Sequence, residues 1–122
     1  MTKILIVEDM PDNAELTRRI LTSRGYEVFH APDAETGLEM AVAERPDLVL
    51  LDLGLPDHDG LTLASWLRAE STLAEVPIIA FTAWPADTAK QMAQTYGCTG
   101  FIGKPIGSVK EFAEQIDSFL NA

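Results

Sequence analysis

The chain has 122 residues, 47% hydrophobic and 23% charged, with 19 acids against 9 bases and a net charge of −10. That length suits a single domain with one substantial core, and the composition excludes a disordered chain. The acidic balance repels polyanions and so excludes nucleic acid as a direct partner, while the lone cysteine, Cys98, excludes an internal disulfide and points to a reduced setting.

In chain order, short apolar runs alternate with amphipathic stretches, with no repeat, linker or low-complexity tract. The run KILIV (Lys3 to Val7) predicts a buried first strand; it stops at Glu8, too early for a signal-peptide core, and no run approaches a membrane span. A cytoplasmic protein with no membrane partner is therefore expected. PDNAELTRRILTSRG spaces Leu16, Ile20 and Leu21 as one helix face, with Gly25 as the stop. YEVFHA predicts a second strand, and PDAETGLEMAVAERP a helix started by Pro32 and Asp33, with Ala34, Leu38, Ala41 and Val42 sharing a face. The third strand lies in DLVLLDLGLPDHDG, where Leu48 to Leu51 end on the carboxylate of Asp52. GLTLASWLRAE predicts a helix with Leu63, Trp66 and Leu67 inward, and VPIIAF a fourth strand. DTAKQMAQTYG predicts a fourth helix with Met92, Ala93 and Tyr96 on one side. GFIG is a short fifth strand, and Ser108 with Glu111 forms a capping box for a last helix ending near Leu120.

Five strands separated by helices require right-handed crossovers and a parallel sheet covered on both faces. Ligands then bind beyond the carboxyl ends of the strands. Those ends carry Glu8 and Asp9, Asp52, Thr82, and Lys104 followed by Pro105. Carboxylates about 5 Å apart repel by roughly 3 kcal/mol at an effective dielectric near 20, which a hard divalent cation such as Mg²⁺ offsets. Lys104 supplies a second counter-charge, and Thr82 a hydroxyl donor. Asp52, at a strand tip, then reads as a nucleophile toward a phosphoryl group.

These residues, LIVED, LLDLGLPDHDG, FTA and GKP in order at successive strand ends, make the chain similar to the receiver domain of two-component response regulators. MTKILIVED, SWLRAE and GCTGFIGKPI lean toward stand-alone receivers of the chemotaxis and, more closely, the DivK cell-cycle type. The resemblance implies a flavodoxin-like doubly wound (βα)₅ α/β fold with strand order 2-1-3-4-5, as one receiver domain over residues 1–122 with no output domain. It implies that Asp52 takes a phosphoryl group from a sensor histidine kinase or histidine phosphotransfer protein. Mg²⁺ would be held by Asp9, Asp52 and the Gly54 carbonyl, with Glu8 acting mainly through water. Thr82 would swing toward the new group, Lys104 would pair with it, Phe101 would follow as the aromatic switch, and the Lys104–Pro105 peptide would be cis.

Such a protein is a phosphoacceptor, not an enzyme beyond its own phosphorylation and dephosphorylation. It relays its signal to a downstream protein target, as a monomer or weak dimer, through the fourth helix, fifth strand and fifth helix. Two departures stand out: Phe101 lacks a tyrosine's hydroxyl, and Trp84, ahead of Pro85, is large for its place beside the pocket. An aspartyl-phosphate phosphatase wants a second carboxylate where Gly54 stands, and a flavin carrier would not place Glu8 and Asp9 against a phosphate. His30 and His58 lack partners at ligand spacing and read as non-functional, Asp57 and Asp59 as turn residues, and Cys98 as a packing residue.

Overall fold

The computed structural model describes residues 1–121. The elements run β1 (Lys3–Val7), α1 (Pro11–Ser23), β2 (Glu27–Ala31), α2 (Ala34–Glu44), β3 (Leu48–Leu51), α3 (Gly60–Ala69), a 3₁₀ turn (Ser71–Leu73), β4 (Ile78–Thr82), α4 (Ala86–Thr95), β5 (Gly100–Gly103) and α5 (Val109–Leu120). All strands are parallel, in the order β2-β1-β3-β4-β5. The chain first steps outward from β1 to β2 and then returns past β1 to β3, so the order reverses between β1 and β3. A crevice opens at that point. No helix among the described residues is long and apolar enough to cross a membrane.

Strand alternation divides the core in two. Leu5, Val7, Val49, Leu51, Ile78 and Ala80 face α2, α3 and α4, while Ile4, Ile6, Leu48, Leu50, Ile79 and Phe81 face α1 and α5. Both faces are covered, so β3 can be apolar at every position; each fully buried Leu or Ile contributes on the order of 1.5–3 kcal/mol. Helices α2, α3 and α5 start on side-chain caps: Asp33 accepts from the Thr36 amide at 2.7 Å, Asp59 from Thr62 at 2.8 Å and Ser108 from Glu111 at 3.2 Å. Gly25 follows α1 with φ +90°, a left-handed turn that glycine adopts without a Cβ penalty.

Three helix faces differ from the sequence reading. Leu16 is 51% exposed, Val42 43% and Tyr96 40%. In α1 the inward positions are Ala14, Thr17, Ile20 and Leu21. Thr17 can take the place assigned to Leu16 because its hydroxyl donates to the Asn13 carbonyl at 2.8 Å, leaving only its methyl to pack. In α2 the buried stripe is narrower than expected, Ala34, Gly37 and Ala41, which turns Val42 outward. In α4 only Ala89 and Ala93 are buried; Tyr96 caps the helix and stays outside. Trp66, expected inward, is half-buried.

Candidate functional site

Strand pairing determines which side chains meet. Val7 pairs with Leu51, so the residues just beyond them, Glu8 and Asp52, emerge side by side, and the Asp52 amide donates to the Val7 carbonyl at 3.0 Å. One oxygen from each of Glu8, Asp9 and Asp52 lies within 4.8 Å of the others. Thr82 pairs with Gly103, and the Lys104 amide donates to the Thr82 carbonyl at 2.9 Å, which brings β5's lysine over the crevice. The ammonium of Lys104 binds the Glu8 carboxylate and reaches Asp52 Oδ2 at 3.1 Å. It also lies 5.2 Å from the centre of the Phe81 ring.

Charge at this rim is not balanced. Three carboxylates face one ammonium, which leaves two negative charges uncompensated when all are ionised. Glu8 is only 3% exposed, and burial pushes its carboxyl above the ordinary glutamate range against the opposing pull of Lys104, with Asp52 adding to the rise. Asp52 is half-buried, with Oδ1 accepting from the Gly54 amide at 3.1 Å. Hard oxygen donors in excess over cationic partners are the set that Mg²⁺ prefers, and these residues fit that ion.

Thr82 is 1% exposed, and its hydroxyl oxygen accepts from the Trp84 amide at 3.3 Å. It stands one strand away from Asp52, separate from the acid–lysine cluster. Phe101 lies farther off, half-buried, with its ring over Gly103 and against the core that carries α4. The Lys104–Pro105 peptide is cis.

Two residues of the loop that leads into α3 have supporting roles beyond the turn the sequence predicts. Gly60 begins α3 so close to the end of β3 that a Cβ there would collide with the Asp52 carbonyl and the Leu51 side chain. Only glycine permits that approach; the Asp59–Gly60 pair was legible as a turn, but its contact with Asp52 was not. Asp57 reaches across to α2, where its two oxygens accept from the Ala34 and Glu35 amides at 2.9 and 3.0 Å. With Glu35 and His58 it forms a second group close enough to share a metal, but its oxygens already satisfy a helix N-terminus, where a cation is unfavourable.

The sequence profile of the response regulator receiver domain matches residues 4–117. The polar-differentiation response regulator DivK of Brucella anthropi is 37% identical over 117 residues, 96% of this chain and 94% of its own. The solved structure of the Vibrio cholerae chemotaxis protein CheY4 superimposes with a TM-score of 0.92 at 26% identity, covering 98% of both chains. The receiver domain of a sensor histidine kinase from Pseudomonas aeruginosa, solved with a magnesium ion coordinated in its active site cleft, gives 0.91 at 29% identity over 99% of this chain and 98% of that one.

Proposed function

Since the chain belongs to the response regulator receiver domain family, whose general function is that of a phosphorylation-activated switch in two-component signalling, we propose that Asp52 is its phosphoacceptor. The observation that carries this reading is the clustering of the Glu8, Asp9 and Asp52 oxygens within 4.8 Å under a lysine bound to two of them.

In the proposed transfer, an Asp52 oxygen attacks the phosphorus of a phosphohistidine. The new O–P bond forms as the N–P bond breaks, and the imidazole leaves and takes up a proton from solvent. Asp9, Asp52 and the Gly54 carbonyl, with Glu8 behind them, would hold Mg²⁺, which when bound neutralises the charge of the phosphoryl oxygens. Lys104 stands 3.1 Å from Asp52 Oδ2 and pairs with a phosphoryl oxygen after transfer. Thr82 exchanges its role as acceptor from Trp84 for donation to the same group. Phe101 then fills the space that Thr82 leaves.

The element that responds is α4, because Ala89 and Ala93 are its buried residues, whereas α3 buries Leu61, Leu63, Ala64 and Leu67. Fewer apolar contacts mean a smaller cost to shift a helix. The donor, a sensor histidine kinase or histidine phosphotransfer protein, docks beside Lys104. There Leu16, Phe81, Pro105 and Ile106 line a groove of about 270 Å³. The protein turns over no outside substrate; its product is its own altered surface, read by a downstream protein.

Incubation with acetyl phosphate and Mg²⁺ tests this reading by intact mass. One hydroxylamine-labile phosphoryl group per chain is expected in the wild type and none in Asp52→Asn. Labelling that survives that substitution would remove Asp52 from the role.

A further inference from the structure

Helices α2 and α3 lie side by side on the face of the sheet opposite α1 and α5, and between them runs an open groove of about 600 Å³ that takes no part in the chemistry above. Its floor is apolar, made by Leu38 and Ala69 with the half-buried ring of Trp66, and its rim is acidic, made by Glu35 and Glu39 on α2 and Glu70 at the end of α3. Glu35, Leu38, Glu39 and the exposed Val42 recur at helical spacing, so the same acid–apolar pattern extends along α2 for two turns, about 10 Å. Among the described residues no lysine or arginine pairs with any of the three rim glutamates; Glu35 has the His58 ring at 3.6 Å.

The groove is built to keep its shape. The His58 ring stands edge-on to Trp66 at 4.8 Å between centroids, and Asp57 fastens the same loop to the start of α2. An aromatic side chain held in place loses little freedom on binding, and its face attracts a cation. The charge decides among occupants. A second copy would bring another −10 chain against an acidic rim, and nucleic acid or an anionic membrane would be repelled more strongly.

We propose that the α2–α3 groove docks a basic amphipathic segment of a partner protein, its apolar residues on Leu38 and Trp66 and its lysines or arginines against Glu35, Glu39 and Glu70. The donor groove at Leu16 and Ile106 lies across the sheet, so both partners fit at once. This surface is separate from the acceptor reading, and its test does not require phosphorylation.

The probe is a synthetic helical peptide of lysine and leucine only, about four turns long, with its leucines on one face. It is titrated into the ¹⁵N-labelled full chain at low salt, alongside a scrambled peptide of the same composition and spermine. The Trp66 indole N–H and the amides of residues 35–42 and 66–70 should shift. The scrambled peptide and spermine should bind about tenfold more weakly or worse, and Glu39→Lys/Glu70→Lys should weaken the amphipathic peptide about tenfold while keeping the remaining spectrum and acetyl phosphate labelling. Equal binding of the scrambled peptide, shifts spread over the surface or centred on the Leu16 groove, or an unaffected double variant would overturn the proposal. So would Trp66 shifts that follow protein concentration without peptide, which would make a second copy the occupant.

Discussion

The two ends of the β-sheet handle buried charge in opposite ways. At the carboxyl ends, Glu8, Asp9 and Asp52 crowd together, two of them on one lysine, with negative charge to spare. At the amino ends of β4 and β5, the guanidinium of Arg68 donates to the carbonyls of Gly97, Leu73, Ala74 and Val76 at 2.6–3.2 Å and to the Thr99 hydroxyl at 3.2 Å. Burial pulls Arg68 below its ordinary value, and the ring of fixed acceptors keeps the ion where it is. Burial likewise pushes the neighbouring Cys98 thiol up to about 11, so the thiol stays neutral beside it. A charge ringed by fixed acceptors has one arrangement and serves as a rivet for α3, β4 and β5. A cluster with charge left over has room to change state, and a cation or a phosphoryl group is the proposed trigger.

Asp52→Asn is the strongest way to break the carboxyl end. Labelling by acetyl phosphate should be abolished, while metal-free stability should hold or rise by about 1 kcal/mol because a repelling charge has gone. Arg68→Ala should do the reverse: a loss of about 2–4 kcal/mol, seen as a melting point lower by roughly 10 °C, with labelling of Asp52 retained in the folded protein. Arg68→Lys should recover little, since an ammonium cannot span so many acceptors. If Arg68→Ala instead abolished labelling at full stability, the division between the two ends would be wrong.

Lys104→Ala sharpens the comparison within the site. The variant should still be labelled, but the change in tryptophan fluorescence that accompanies labelling in the wild type should shrink several-fold, because the β5 ammonium is no longer there to pair with the phosphoryl group. An unchanged fluorescence response would take Lys104 out of the switch.

The smallest effect is a pH dependence. Folding raises the Glu8 carboxyl above its ordinary value, so the folded state favours the protonated form. Without metal, the stability this proton contributes is present at low pH and is lost as pH rises from the ordinary glutamate value through the raised one. Urea unfolding across that window should show a decline that is absent in Glu8→Gln. A parallel pH dependence in the variant would place the cause elsewhere.

The carboxyl end was the more legible in sequence, because apolar runs of β-branched and leucine residues stop on Glu8, Asp52, Thr82 and Lys104, and parallel topology places all such stops on one rim. The amino end was not. Arg68 has the look of an ordinary exposed helix charge, and its partners are carbonyls contributed by distant turns, a role that leaves no trace in residue type. Helix faces were misjudged where a small or polar residue took the inward position, as Thr17 did from Leu16. Asp57 was read as a turn residue, yet it caps a helix that begins 23 positions earlier in the chain. The Ser71–Leu73 turn, which starts without a side-chain cap, carried no signal.

Thermal unfolding of wild type and Asp52→Asn, each with and without Mg²⁺, measures the stored repulsion directly. The wild type should start at or below the variant without metal and gain clearly more from Mg²⁺, so that the order reverses when the ion is present. Equal gains in the two proteins, or a variant that is far less stable without metal, would show that Asp52 stands outside any shared cluster of negative charge.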